Sequence, residues 1–148
     1  MKGYTLILLA LMMAACTTSQ SASLRKGGDA ANTNAPMTIT YEGETEITFG
    51  VIGDITIYVR PERDAQSLSM TITPGARLEV IYGELHQDFG PVSAGQEVSM
   101  KVRYMAPEEG LYNLNVTATG SFSGSRMSTS AEVQIMIYAP ISPFRDAG

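Results

Sequence analysis

The chain has 148 residues, a net charge of −5 at neutral pH and 44% hydrophobic residues. That is enough for one domain with its own core, and the acidic balance argues against nucleic acid as a partner and against direct adsorption to anionic lipid. A single cysteine and a single histidine leave too few ligands for a disulfide framework or a zinc site.

In chain order, the first feature is a targeting segment, residues 1–15. Lys2 gives it a positive start, and Thr5 to Ala15 form an uncharged apolar run of eleven residues. That length matches a signal h-region of roughly 7–15 residues and falls short of the roughly 20 that a transmembrane helix needs. Met13-Ala14-Ala15-Cys16 resembles a bacterial lipobox, with Met13 where the usual residue is Leu. The resemblance implies that Cys16 is acylated and becomes the mature N-terminus, which puts a membrane among the partners. Thr17 follows where an Asp would imply inner-membrane retention, so the resemblance favours the periplasmic face of the outer membrane. With Cys16 spent on lipid, no thiol remains for a metal, a disulfide or a nucleophile.

Residues 16–36 hold the anchor cysteine and a segment rich in Ser, Thr, Asn, Gly and Ala. Its apolar content is too low to fold, so it is expected to be a flexible tether. From Met37 the pattern changes to period two with Gly and Pro punctuation, the mark of strands. Eight strands are predicted. The first is Met37 to Tyr41. The second is Thr45 to Val51, with Thr45, Ile47, Phe49 and Val51 on one face. Asp54 to Arg60 follows, then Ser67 to Thr73, which ends at the turn signal Pro74-Gly75. Arg77 to Tyr82 carries Leu78, Val80 and Tyr82 on one face. Glu97 to Tyr104, Leu111 to Thr119 and Ser128 to Tyr138 complete the set, the last two joined through the loop Gly120 to Ser125. The domain spans 37–139, and the proline-containing tail 140–148 is expected to leave it.

Clean alternation over this many short strands points to an all-β fold, an antiparallel sandwich of about seven or eight strands. Tyr112 stands near the start of the penultimate strand, two residues before the inward Leu114. That is the place of the tyrosine corner in immunoglobulin-like domains. The runs Ala94 to Val102 and Ala106 to Ala118 resemble bacterial immunoglobulin-like modules, which implies that fold. The same modules serve adhesins, enzymes and envelope assemblies, so the fold does not carry a function.

Little in the sequence supports catalysis or cofactor binding, and the chain is expected to be neither an enzyme nor a cofactor protein. His86 lies among Glu84, Leu85, Gln87 and Asp88 and is expected at the surface or a loop edge; no nucleophile-elbow sequence accompanies it. Thioether sulfurs suit Cu(I), but Met70 and Met100 fall on apolar strand faces, where packing accounts for them. Met127 and Met136 are expected on the face opposite Val133 and Ile135. Glu42, Glu44 and Glu46 alternate and would share one face of an extended segment, as a solvated edge rather than a calcium loop. Phe89 and Phe122 are expected in loops and Phe144 in the tail. An aromatic ring at such a place anchors a partner or folds back over the sandwich end. These three rings are the candidate contacts to a partner, expected to be another envelope protein. The alternative is a lipoprotein that binds a glycan, or a metal such as copper.

Overall fold

The computed structural model describes residues 26–27, 29–30 and 35–141. Cys16 and Phe144 lie outside these residues. The described residues form strands and turns with no helix, arranged as an immunoglobulin-like sandwich of two sheets. Two short pairings come first, β1 (Lys26–Gly27) and β2 (Asp29–Ala30). Nine strands follow: β3 (Met37–Gly43), β4 (Glu46–Thr48), β5 (Gly53–Pro61), β6 (Ala65–Pro74), β7 (Glu79–Tyr82), β8 (His86–Val92), β9 (Val98–Met105), β10 (Gly110–Phe122) and β11 (Ser125–Tyr138).

The first sheet has the order β1-β3-β5-β9-β7 and the second β2-β11-β10-β6-β8, with β4 added alongside β11. All pairings are antiparallel except β4 with β11. Strand β1 extends one sheet beyond β3, and β2 extends the other beyond β11.

Alternation builds the core. Ile55, Ile57 and Val59 from β5 face Leu114, Val116 and Ala118 from β10 and Val133 and Ile135 from β11, all fully buried. Fully burying a Val, Leu or Ile side chain is worth about 1.5–3 kcal/mol. With no disulfide in reach of one cysteine, this burial is the main source of stability. Gly53 is matched to the core in another way. A Cβ there would sit 2.3 Å from the ring of Tyr104, so only glycine lets that ring lie flat across β5.

The second predicted strand is mostly a turn. Only Glu46–Thr48 pair, and Ile47 alone is buried. The Val51 N–H donates to the Thr48 carbonyl at 3.1 Å, and Gly50 has φ +88. This is a type II turn, which needs a positive φ at its third position. It turns Phe49 and Val51 outward instead of into the expected face.

The sandwich has two distinct ends. The β4–β5 end carries loops 49–52, 75–78 and 106–109 and the last described residues. Its parts are tied together by Phe49 N–H to the Tyr138 carbonyl (2.8 Å), Gly75 N–H to the Asn113 carbonyl (2.7 Å) and the Arg77–Glu108 ion pair (2.6 Å). The hairpin end carries loops 62–64, 93–97 and 123–124, tied by Gly95 N–H to the Pro61 carbonyl and Ala94 N–H to the Asp64 carboxylate, both 2.8 Å.

Candidate interaction site

The tyrosine corner is present. The Tyr112 hydroxyl donates to the Glu108 carbonyl at 2.9 Å, and its ring is buried at the start of β10. Leu114, two residues on, is fully buried. The bond closes loop 106–109, whose Glu108 also pairs with Arg77. That ion pair holds the Glu108 carboxyl below its ordinary range and raises Arg77, through the hydrogen bond first and the charge second.

Of the candidate aromatic contacts, Phe122 is corrected. It is not in a loop but ends β10, only 2% exposed, with the Arg63 guanidinium 5.7 Å over its ring. The inward parity of Tyr112, Leu114, Val116 and Ala118 runs on through Gly120 to Phe122, and the chain turns only at Ser123-Gly124. Phe89 is also in a strand rather than a loop. It lies in β8 at a register slip against β6, half-buried and packed on the core. A buried ring and a half-buried ring are core residues first. Phe144 falls outside the described residues.

The exposed apolar groups are elsewhere. Tyr82 was expected inward, but β7 slips by one residue against β9 between Val80 and Tyr82. Such a bulge sends the next side chain to the other face, and Tyr82 is 69% exposed with Arg103 5.9 Å from its ring. It borders an open cleft of about 590 Å³ whose walls include Val80, Gly83, Gln87, Ser99 and Lys101. The cleft lies where the β7–β8 connection passes between the sheets. Ile81 also lines it, and Leu85, in the β7–β8 connection, is exposed. Sequence alternation hid this surface, because the bulge that makes it leaves no residue-type signal.

The other groups weighed for chemistry do not assemble. His86 is exposed at the start of β8, its Nδ1 2.8 Å from the Thr71 hydroxyl and its Nε2 3.4 Å from Asp88. Glu42 accepts from the Tyr58 hydroxyl within β3–β5 pairing, whereas Glu44 and Glu46 follow the end of β3, so the three do not share one strand. Among the described residues no group of three or more His, Cys, Asp or Glu is placed to hold a metal ion. Met70 and Met100 are buried in the core. Met127 was expected outside but packs on the core, because it shares the parity of Thr129, Ala131 and Val133. Met136 is half-buried on the outer face, beside Leu111 and Tyr138.

Two polar links lie at the β4–β5 end. Asp54 on β5 meets Arg103 at 2.8 Å and Lys101 at 3.8 Å from β9, a surface pair across the sheet. Tyr104 is buried and its hydroxyl donates to the Glu44 carbonyl at 2.5 Å. Burial, helped by the nearby Glu44 and Asp54 charges, pushes its hydroxyl well above the usual tyrosine range.

No protein-family model matches the chain, and no curated protein matches it. Solved structures do share its fold. The GAE domain of GGA2p from Saccharomyces cerevisiae superposes with a TM-score of 0.54 at 8% identity, over 75% of this chain and 96% of that one. The CARDB domain of the PF1109 protein from Pyrococcus furiosus, solved with di-metal ions, gives 0.49 at 11% identity over 74% and 99%. A conjugative transposon lipoprotein from Bacteroides eggerthii gives 0.45 at 16% identity over 68% and 96%. At 8% identity the likeness to the GAE domain is one of fold alone.

Proposed function

We propose that the chain is a non-enzymatic lipoprotein of the bacterial cell envelope, anchored through Cys16 and acting by binding another envelope protein. The observation that carries this reading is the place of the one cysteine: it ends an eleven-residue apolar run, and a polar segment follows it into the sandwich. A lone thiol in an exported protein is otherwise unusual, and acylation gives it a use. Two or more acyl chains make attachment stable, where one alone binds only marginally. The partner meets the side of the sandwich that carries Ile81, Tyr82 and Leu85, since exposed aromatic and aliphatic groups around a concave surface are the usual anchors of an interface.

Expression in a bacterial host with a clickable palmitate analogue tests the anchor. The chain takes up label and fractionates with membranes, and Cys16→Ser loses both. An unlabelled wild-type chain in the soluble fraction overturns the reading. Cross-linking in the native envelope tests the interaction: a photo-cross-linker at Tyr82 captures a stoichiometric protein, and one at Thr117, on the outer face of the second sheet, does not.

A second reading is favoured by the cleft itself. An exposed tyrosine beside polar Gln87, Ser99 and Lys101 suits a sugar ring as well as a protein side chain. A rise in melting temperature with one glycan of a panel, lost in Tyr82→Ala, supports that reading; no shift across the panel removes it.

A further inference from the structure

We propose that the β4–β5 end of the sandwich rests on the lipid surface, with the Phe49–Ile52 turn as its insertion tip. This rests on the anchoring of Cys16 proposed above and adds which surface of the domain the membrane meets.

Three observations converge on it. The first is chemical. Among the described residues, most exposed large apolar side chains gather at this one end: Phe49, Val51, Ile52, Leu111, Tyr138 and Ile141. The stretch from Ile47 to Gly53 has no charged residue. Soluble domains seldom leave such a cluster uncovered without a use for it.

The second is the shape of the tip. The type II turn at Thr48–Val51 holds Phe49 and Val51 outward, and a Cβ built on Gly50 would meet nothing within 4 Å. The turn therefore projects from the body rather than lying along it. Apolar groups that enter a membrane interface need reach only about 5–10 Å, to the boundary between headgroups and acyl chains.

The third is the direction of the anchor. β1 runs antiparallel to β3, with Lys26 opposite Tyr41 and Gly27 opposite Thr40. β1 therefore starts on the side of the β4–β5 end and heads away from it. Cys16 and Lys26 are ten positions apart, a span of at most about 36 Å at 3.3–3.6 Å per residue. An anchor on so short an arm keeps this end nearer the bilayer than the hairpin end.

Charge selects the lipid. Glu44, Glu46, Glu79 and Glu109 are exposed at the same end. A carboxylate rim is repelled by anionic headgroups and tolerated by zwitterionic ones. The surface therefore fits a zwitterionic bilayer.

The chain has no tryptophan, so single-tryptophan variants report directly. The lipidated full chain is reconstituted in phosphatidylcholine vesicles, plain or brominated on the upper acyl carbons, as Val51→Trp, Ile52→Trp and Ala94→Trp. Ala94 lies in an exposed loop of the hairpin end. The expected result is blue-shifted emission, mostly quenched by bromine, from tryptophan at 51 and 52, and unshifted, unquenched emission from 94. Added phosphatidylglycerol weakens the quenching at 51 and 52. Two tip variants guard against one that misfolds, and circular dichroism with a thermal melt checks each. Equal quenching at both ends, or none at the tip in a chain that is acylated and floats with the vesicles, overturns the proposal and leaves the anchor standing. A chain whose intact mass shows no acyl groups and which does not float overturns the anchor and this inference together. Quenching at the tip that requires a cross-linked envelope protein assigns the end to a protein partner and overturns the lipid.

Discussion

Tyr112 and Tyr104 show how two buried phenols do different work in one small domain. Tyr112 closes the loop before β10 on itself, through the Glu108 carbonyl. Tyr112→Phe keeps the ring and removes that bond, so a loss of about 1 kcal/mol is expected, read as a lower urea midpoint with an unchanged slope. Tyr104 ties β9 to the Glu44 carbonyl, beyond the end of β3. Its folded-state hydroxyl titrates above the unfolded value of about 10. A raised value means the folded state holds the proton longer, so this contribution is whole below pH 10 or so and is lost as pH rises above it. Tyr104→Phe is therefore expected to lose about 1 kcal/mol near pH 7 and to show a shallower decline in melting temperature above pH 10 than the parent. An equal decline in both would contradict the assignment. The corner tyrosine was legible from its position two residues before an inward leucine. The role of Tyr104 was not, because its acceptor lies sixty positions earlier in the chain and no spacing rule connects them.

At the scale of elements, the strands with unbroken alternation were readable, and those bent by bulges or turns were not. β5, β6, β9, β10 and β11 appear where period two placed them, extended by a few residues at their ends. β8 is not evident from the sequence, because it holds Gly90-Pro91 and the slip against β6 breaks its alternation. Its proline sits at a sheet edge, where a missing N–H is tolerated. The β10–β11 hairpin lies where the sequence predicts it, with a turn tighter than Gly120 to Ser125. Only Ser123 and Gly124 leave the ladder, with φ of 49 and 82. Two positive values define a type I′ turn, which favours Asn-Gly over Ser-Gly. Ser123→Asn is expected to stabilise the domain by several tenths of a kcal/mol, measured as a raised melting temperature. Phe122, one residue earlier, is core. Phe122→Ala is expected to cost about 3–5 kcal/mol, far more than the loss of an exposed binding ring. A drop of under about 1 kcal/mol in a urea melt would be that of a surface residue and would return Phe122 to the surface.

For the whole molecule, the acidic charge balance and the apolar β4–β5 end act against each other in solution. The sequence has a pI of about 4.8. Near that pH net repulsion vanishes and exposed apolar surface is free to associate. A Cys16→Ser chain is expected to scatter most light near pH 4.8, and Val51→Asp together with Ile52→Ser to reduce that maximum without lowering the melting temperature. Scattering that the double variant leaves unchanged would place the association elsewhere. Fold class was legible at this scale, since alternation alone specifies two half-buried sheets. The uneven distribution of exposed apolar groups was not. It depends on which loops share an end, and that is a property of topology.

The pairing of β1 and β2 with the two sheet edges also bears on mechanics. On the anchoring proposed above, a pull at Cys16 reaches Lys26 before Met37, so it loads the β1–β3 and β2–β11 pairings first. Among the described residues each spans two positions, while β3 is held along β5 over seven. These pairings are expected to give way first, and releasing the stretch from Lys26 to Met37 would add up to about 40 Å at 3.3–3.6 Å per residue. The released length is then used up before the longer β3–β5 ladder takes the load at Met37.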